Sequence, residues 1–149
     1  MKQIAKNSKA SFQYELLEEF EAGIVLLGSE LKSIRAGKVS VNESFVVVDG
    51  GELYALYIHI SKYSNANRFN HDETRPRKLL LHKKQINKIL GRIKTKGLTV
   101  VVRSMYFNKR NMVKLSIALA KGKKLHDKRQ SIKERDWSRE KNRELKSMQ

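Results

Sequence analysis

The chain contains no cysteine, so neither a disulfide framework nor a thiolate metal site is available to it. Proline and tryptophan occur once each, as Pro76 and Trp137. No apolar run approaches the roughly 18 residues that a membrane-spanning helix needs. Met1 to Ala10 is polar and basic, without the apolar segment of a secretory signal. The expectation is a soluble, cytoplasmic protein with no membrane partner. Walker-type phosphate loops, nucleophile elbows and metal-binding helix motifs are all missing. No enzyme, catalytic residue, metal or cofactor is therefore expected. Acidic residues are also scarce: 15 Asp and Glu stand against 32 Lys and Arg, a formal net charge of +17 in 149 residues. A polyanionic partner would offset that self-repulsion. Nucleic acid is the commonest such partner, and an anionic membrane surface is the other.

The net positive charge is densest at the C-terminal end. Residues 121–149 hold 11 basic and 5 acidic residues, and residues 1–120 hold 21 and 10. The C-terminal stretch is poor in apolar residues and cannot bury enough surface to offset its ordering entropy alone. It also lacks the apolar face that membrane-surface binding requires. The expected organisation is a folded body over residues 1–120 and a conditionally ordered basic tail over 121–149.

The body reads as mainly β with short helices. Tyr14 to Leu27 suits one long bent strand or two short ones, broken at Gly23. Gly28 to Ala36 suits a short helix stopped by Gly37. Ser44 to Val48 and Glu52 to Ile60 flank Asp49-Gly50-Gly51, a hairpin signal. Ser61 to Arg77 reads as loop, and Leu79 to Leu81 as a short apolar run. His82 to Lys96 is the clearest helix, with Ile86, Ile89, Leu90 and Ile93 at i, i+3, i+4 and i+7 and Gly97 as its stop. Leu98 to Phe107 and Met112 to Ala120 form a second hairpin. Several strands with one well-formed helix before the last pair suggest an OB-fold-like Greek-key β-barrel, with a split α+β sheet as the alternative. In the tail, Ser131 to Glu134 fits a capping box, and Asp136, Glu140 and Glu144 interleave with cations at helical spacing.

Five features bear on function. Arg75-Pro76-Arg77-Lys78, with His82-Lys83-Lys84 beyond the leucines, either fixes cations on a rigid surface for phosphate contact or forms a solvated basic edge strand. Ala120 to Arg129 is either a phosphate-tracking segment with a bend at Gly122 or a basic linker. His71-Asp72-Glu73 is metal-capable in composition, but consecutive side chains in an extended loop diverge. Glu15, Glu18, Glu19 and Glu21 suit either acid–base or Mg²⁺ chemistry or a strand face paired with lysines. A lone carboxylate in a basic surface can also accept from base amino groups or a ribose 2′-OH. Trp137, in a charged tail, either stacks on a partner or packs locally on Lys and Arg stems.

Taken together, the motifs resemble the SsrA-binding proteins (small protein B). Phe20 to Ile24 and Gly28 to Gly37 are similar to that family's N-terminal block. Asn70-His71-Asp72 and Arg77 to His82 are similar to its central block, and Ala120 to Arg129 with Ile132 to Trp137 to its tail block. The likeness runs from about Asn7 to Trp137 in order and spacing; Ser29 and Leu31 are mild departures. It implies an OB barrel that binds the tRNA-like domain of transfer-messenger RNA and carries it, with elongation factor Tu, to stalled ribosomes for trans-translation. It implies RNA contacts at Asn7, Tyr14, Glu21, Arg35, Lys78, Leu80, His82, Lys121, Gly122, Lys123 and Lys124. It further implies that the tail, through His126, Asp127, Lys128, Arg129 and Trp137, meets 16S rRNA in the small-subunit decoding centre and the vacant mRNA channel, folding there into a helix.

Overall fold

The protein is described from a computed structural model, over residues 1–63, 70–122 and 137. The tail's capping box, its interleaved charges and the cations from Lys123 to Arg129 lie outside these residues. In chain order the elements are β1 (Lys2–Lys6), α1 (Ala10–Gln13), β2 (Tyr14–Ile24), α2 (Gly28–Arg35), β3 (Val39–Ser40) and β4 (Phe45–Asp49). They continue with β5 (Glu52–Leu56), β6 (His59–Ile60), β7 (Arg77–Leu80), α3 (Lys83–Lys96), β8 (Thr99–Phe107) and β9 (Val113–Gly122).

The strands close on themselves. The sheet runs β8–β4–β5–β7–β2–β9 and returns to β8 through the β8–β9 hairpin, every pairing antiparallel. Closure leaves the ring without a free edge along its main strands. β1 adds outside it, on β8 residues Ser104 to Phe107, while β4 meets the same strand at Val100. The expected mainly-β barrel is what the chain forms.

Period-2 alternation explains the strand assignments. On β9, Val113, Leu115, Ile117 and Leu119 enter the core, while Lys114 and Ser116 face outward. The inward residues meet Ala22, Leu53, Leu79 and Val102 from the other strands, and α3 adds Ile89, which is fully buried. Burying a side chain of that size contributes about 1.5–3 kcal/mol. The β4–β5 connection is a two-residue turn, because Asp49 pairs with Glu52. Gly50 and Gly51 both take positive φ (58° and 77°), the requirement of a type I′ hairpin.

β9 runs to Gly122, two residues past the expected end of the barrel at position 120, and two other differences from expectation bear on the site. Glu52 to Ile60 is not one strand. The backbone turns through Tyr57 at φ 58°, so His59 and Ile60 leave β4 and pair with Ser40 and Val39 instead. β7 is not an edge, since β5 and β2 flank it. The solvated edge-strand reading of the Arg75–Lys78 block is therefore excluded.

Candidate nucleic-acid interface

The basic block around β7 splits across the barrel wall. Successive strand residues face opposite sides, so Arg77 and Leu79 point inward and Lys78 and Leu80 outward. Arg77 is fully buried. Its Nε donates to Glu30 Oε2 at 2.6 Å and its Nη1 to the Ile58 carbonyl at 2.6 Å. Arg75 Nη2 donates to Glu30 Oε1 at 2.6 Å, and the same oxygen accepts from the Leu27 backbone N–H at 2.7 Å, tying down the start of α2. Burial alone would raise the Glu30 carboxyl. The bonds from Arg75 and Leu27 and the charge of Arg77 outweigh it and hold the group below its ordinary range. Arg75 and Arg77 are thus a structural clasp, which corrects their expected place on a phosphate-facing surface. Lys78 lies on the outer face, partly exposed and 4.0 Å from Glu52.

Beside Lys78, four elements line an open groove of roughly 440 Å³ with Glu21, Gly23, Leu80, Leu81, His82, Gln85 and Lys114. β2 supplies Glu21 and Gly23, β7 ends with Leu80, α3 begins after His82, and β9 supplies Lys114. The strands can approach this closely because position 23 is glycine. A Cβ there would lie 3.3 Å from Leu80 Cβ and 3.6 Å from Lys114 Nζ. Tyr106 donates its hydroxyl hydrogen to Glu21 Oε2. Burial, then this bond and the charge of Glu21, raise the phenol well above its usual range, so it stays a donor. Glu21 is left as an acceptor with Oε1 unpartnered among the described residues. The groove offers a fixed carboxylate, an ammonium, an imidazole and an exposed leucine. That set suits one nucleotide: an acceptor for an amino group or 2′-OH, a cation for phosphate, and an apolar wall for a base.

The expected site residues separate into groups. Glu21, Leu80 and His82 meet in the groove, with Lys78 next to it on the outer face of β7. Tyr14 sits at the other end of β2, paired with Gly122 and next to the Glu15–Lys121 pair, roughly 23 Å from Glu21 along the strand at ~3.3 Å per residue. Arg35 is exposed at the end of α2. Asn7 is buried: its Nδ2 donates to the Val102 carbonyl at 2.9 Å and its Oδ1 accepts from the Lys9 N–H at 3.1 Å. The structure gives Asn7 the work of pinning the chain between β1 and α1 onto β8. Lys123, Lys124, His126, Asp127, Lys128 and Arg129 lie outside the described residues.

Sequence reasoning missed Lys114, Gln85 and Tyr106. Lys114 was findable, because the alternation of β9 puts it outward opposite Gly23. Tyr106 was not, because its role depends on the β2–β9–β8 order. The acidic cluster does not converge: Glu18 pairs with Lys88 at 2.6 Å, Glu19 with Arg103, and Glu21 with Tyr106. His71 is also committed, its Nδ1 to the Ser29 hydroxyl at 2.9 Å and its Nε2 to the Ile60 carbonyl at 2.8 Å. A carbonyl can only accept, so Nε2 carries the proton and Nδ1 accepts from Ser29.

Trp137 is buried on the outside of the barrel, in a cluster with Phe45, Val47 and Leu56. Its ring lies 5.9 Å from that of Tyr54 at 44°. Among the described residues, its contacts include these aromatic and aliphatic side chains of the barrel wall.

A profile of the SmpB protein family matches residues 4–147 of this chain. The SsrA-binding protein of Rickettsia bellii (strain OSU 85-389) is 59% identical over 140 residues, covering 94% of this chain and 93% of that one. The SsrA-binding protein of Rickettsia peacockii (strain Rustic) is 58% identical over 142 residues, covering 95% and 93%. A solved chain described as "tmRNA-SmpB: a journey to the center of the bacterial ribosome" is 46% identical, with a TM-score of 0.65 over 80% of this chain and 84% of that one.

Proposed function

The chain belongs to the SmpB family of SsrA-binding proteins, and from that premise we propose how its surface is used. It is an RNA-binding adaptor that acts with transfer-messenger RNA in trans-translation on the ribosome. The barrel grips the tRNA-like domain of that RNA at the groove of Glu21, Leu80, His82 and Lys114. Lys78 adds a phosphate contact beside it, and Arg35 and Lys121 add others elsewhere on the barrel. The protein performs no chemical step; it positions RNA that elongation factor Tu helps deliver. The basic tail that follows β9, beyond Gly122, occupies the empty decoding centre and mRNA channel, where rRNA phosphates neutralise it. The place of action is the cytoplasm, where ribosomes work.

The groove is the observation behind this reading. It combines a fixed acceptor with a cation on a surface of net positive charge, so it can discriminate as well as attract. The test is binding to the tRNA-like domain, to ordinary tRNA and to a random hairpin at matched salt, about 150 mM. A preference of tenfold or more, at least ~1.4 kcal/mol, is expected. Equal affinity for all three would reduce the interface to charge alone. Deleting residues 123–149 is expected to leave RNA affinity within a few fold and to abolish peptide tagging.

A further inference from the structure

The β4–β5 hairpin is apolar on both faces. Val46, Leu53 and Ala55 point into the barrel core, while Phe45, Val47 and Leu56 point outward and are still buried. The outward residues stand in register as the cross-strand pairs Phe45–Leu56 and Val47–Tyr54. Strands that are apolar on both faces are covered on both faces. Among the described residues the outer cover is Trp137, only 9% exposed although it comes from the most charged part of the chain. The seat is extended by Tyr57, whose positive φ sets its ring 5.6 Å from that of Phe45. A non-glycine aromatic residue in that backbone region is strained, and here the strained residue borders the seat. Asp49 and Glu52 at the hairpin tip put carboxylates beside this seat, complementary to a tail that carries 11 basic and 5 acidic residues.

We propose that the outer face of β4–β5 is a parking seat for the protein's own tail, anchored by Trp137, and that a tail parked there is unavailable to the ribosome. The second half rests on the proposed placement of the tail in the decoding centre. Trp137 follows the end of β9 by 15 residues, and even fully extended such a segment spans roughly 50 Å. A tail drawn back to the barrel wall cannot at the same time reach along a channel leading away from it. Binding to the ribosome then selects the unparked fraction, and the apparent affinity is reduced by that fraction.

The experiment uses the full chain, whose one tryptophan reports the seat directly. Emission of the folded protein should be blue-shifted, and acrylamide quenching at least threefold weaker, relative to the same protein in urea. Val47→Glu puts a carboxylate in the seat and should return both readings to the urea values, with the circular dichroism of the barrel unchanged. If Val47→Glu does not fold, Tyr54→Ala serves the same purpose at the rim. Folded protein with urea-like emission and quenching overturns the seat. Tyr54→Ala should also tighten binding to stalled ribosomes by the reciprocal of the free fraction obtained from quenching, about two- to tenfold. A protected tryptophan with no gain in ribosome affinity overturns the coupling. If the chain lacking residues 123–149 still supports tagging, the placement of the tail fails while the fluorescence result stands, so the two failures are distinguishable.

Discussion

Replacing Glu30 by Gln tests the clasp that joins α2 to β7. Glu30 and Arg77 are both fully buried. The carboxylate accepts from Arg75, Arg77 and the Leu27 N–H. Glutamine keeps one acceptor oxygen and turns an amide N–H₂ toward a guanidinium donor, so Arg77 becomes a buried cation without a counter-charge. Breaking a buried pair from one side costs roughly 3–5 kcal/mol. In a protein of this size each kcal/mol lowers the melting temperature by about 2–4 °C, so a fall of roughly 6–20 °C is expected. Urea unfolding at equilibrium measures the loss directly. Arg77→Met alone should cost a similar amount, and the double variant should lose less than the sum, with a coupling of about 0.5–3 kcal/mol. The pH dependence has a definite sign. Glu30 titrates below its ordinary value of 4.5 in the folded state, so its contribution is full above that pH and is lost as pH falls below it. Glu30→Gln should therefore flatten the acid limb of the stability curve. A cost under ~1 kcal/mol, the size of an ordinary exposed pair, or strict additivity would refute the clasp.

Lys114→Ala should weaken RNA binding and lower the log–log salt slope by about 0.9; an unchanged slope means no phosphate lies at the groove. Gly23→Val would set a Cβ 3.3 Å from Leu80 Cβ, so it should displace Leu80 and weaken RNA binding by roughly tenfold, about 1.4 kcal/mol, in a titration of folded protein. Asn7→Ala should destabilise the barrel by about 1–3 kcal/mol through the unpaired Val102 carbonyl, as read by urea unfolding. If Asn7→Ala instead left stability intact and abolished RNA binding, Asn7 would be a contact rather than a pin.

Local chemistry makes several elements legible from the sequence. Asp49-Gly50-Gly51 can hardly do anything but turn, and the apolar spacing from Ile86 to Ile93 selects a helix. β1 was missed because Lys2–Lys6 draws its pairing from β8, about a hundred residues away, and has almost no apolar signal of its own. The two-residue β3 and β6 exist only because Tyr57 diverts the chain. At the candidate site, Glu21, Leu80 and His82 were named from motif order, but what brings them into one groove is the β7–β2–β9 adjacency. Arg77 was misread for the same reason: a guanidinium in a basic run looks exposed until its buried carboxylate partner, 47 positions earlier, is known. Trp137 could be singled out by its oddity in a charged tail, whereas its seat required seeing Phe45 and Val47 on the outer face.

The seam between β2 and β9 has a consequence during synthesis. Tyr14 pairs with Gly122 and Gly23 with Lys114, so one of the first strands made must wait for the last. Pairings this distant in sequence form slowly, and until then β2 is an open edge onto which another chain could add. That strand carries Glu15, Glu18, Glu19 and Glu21. Two unfinished copies meeting along β2 would bring like charges together. The acidity that looked out of place on a basic RNA-binding protein thus protects the nascent chain from its neighbours until the barrel can close.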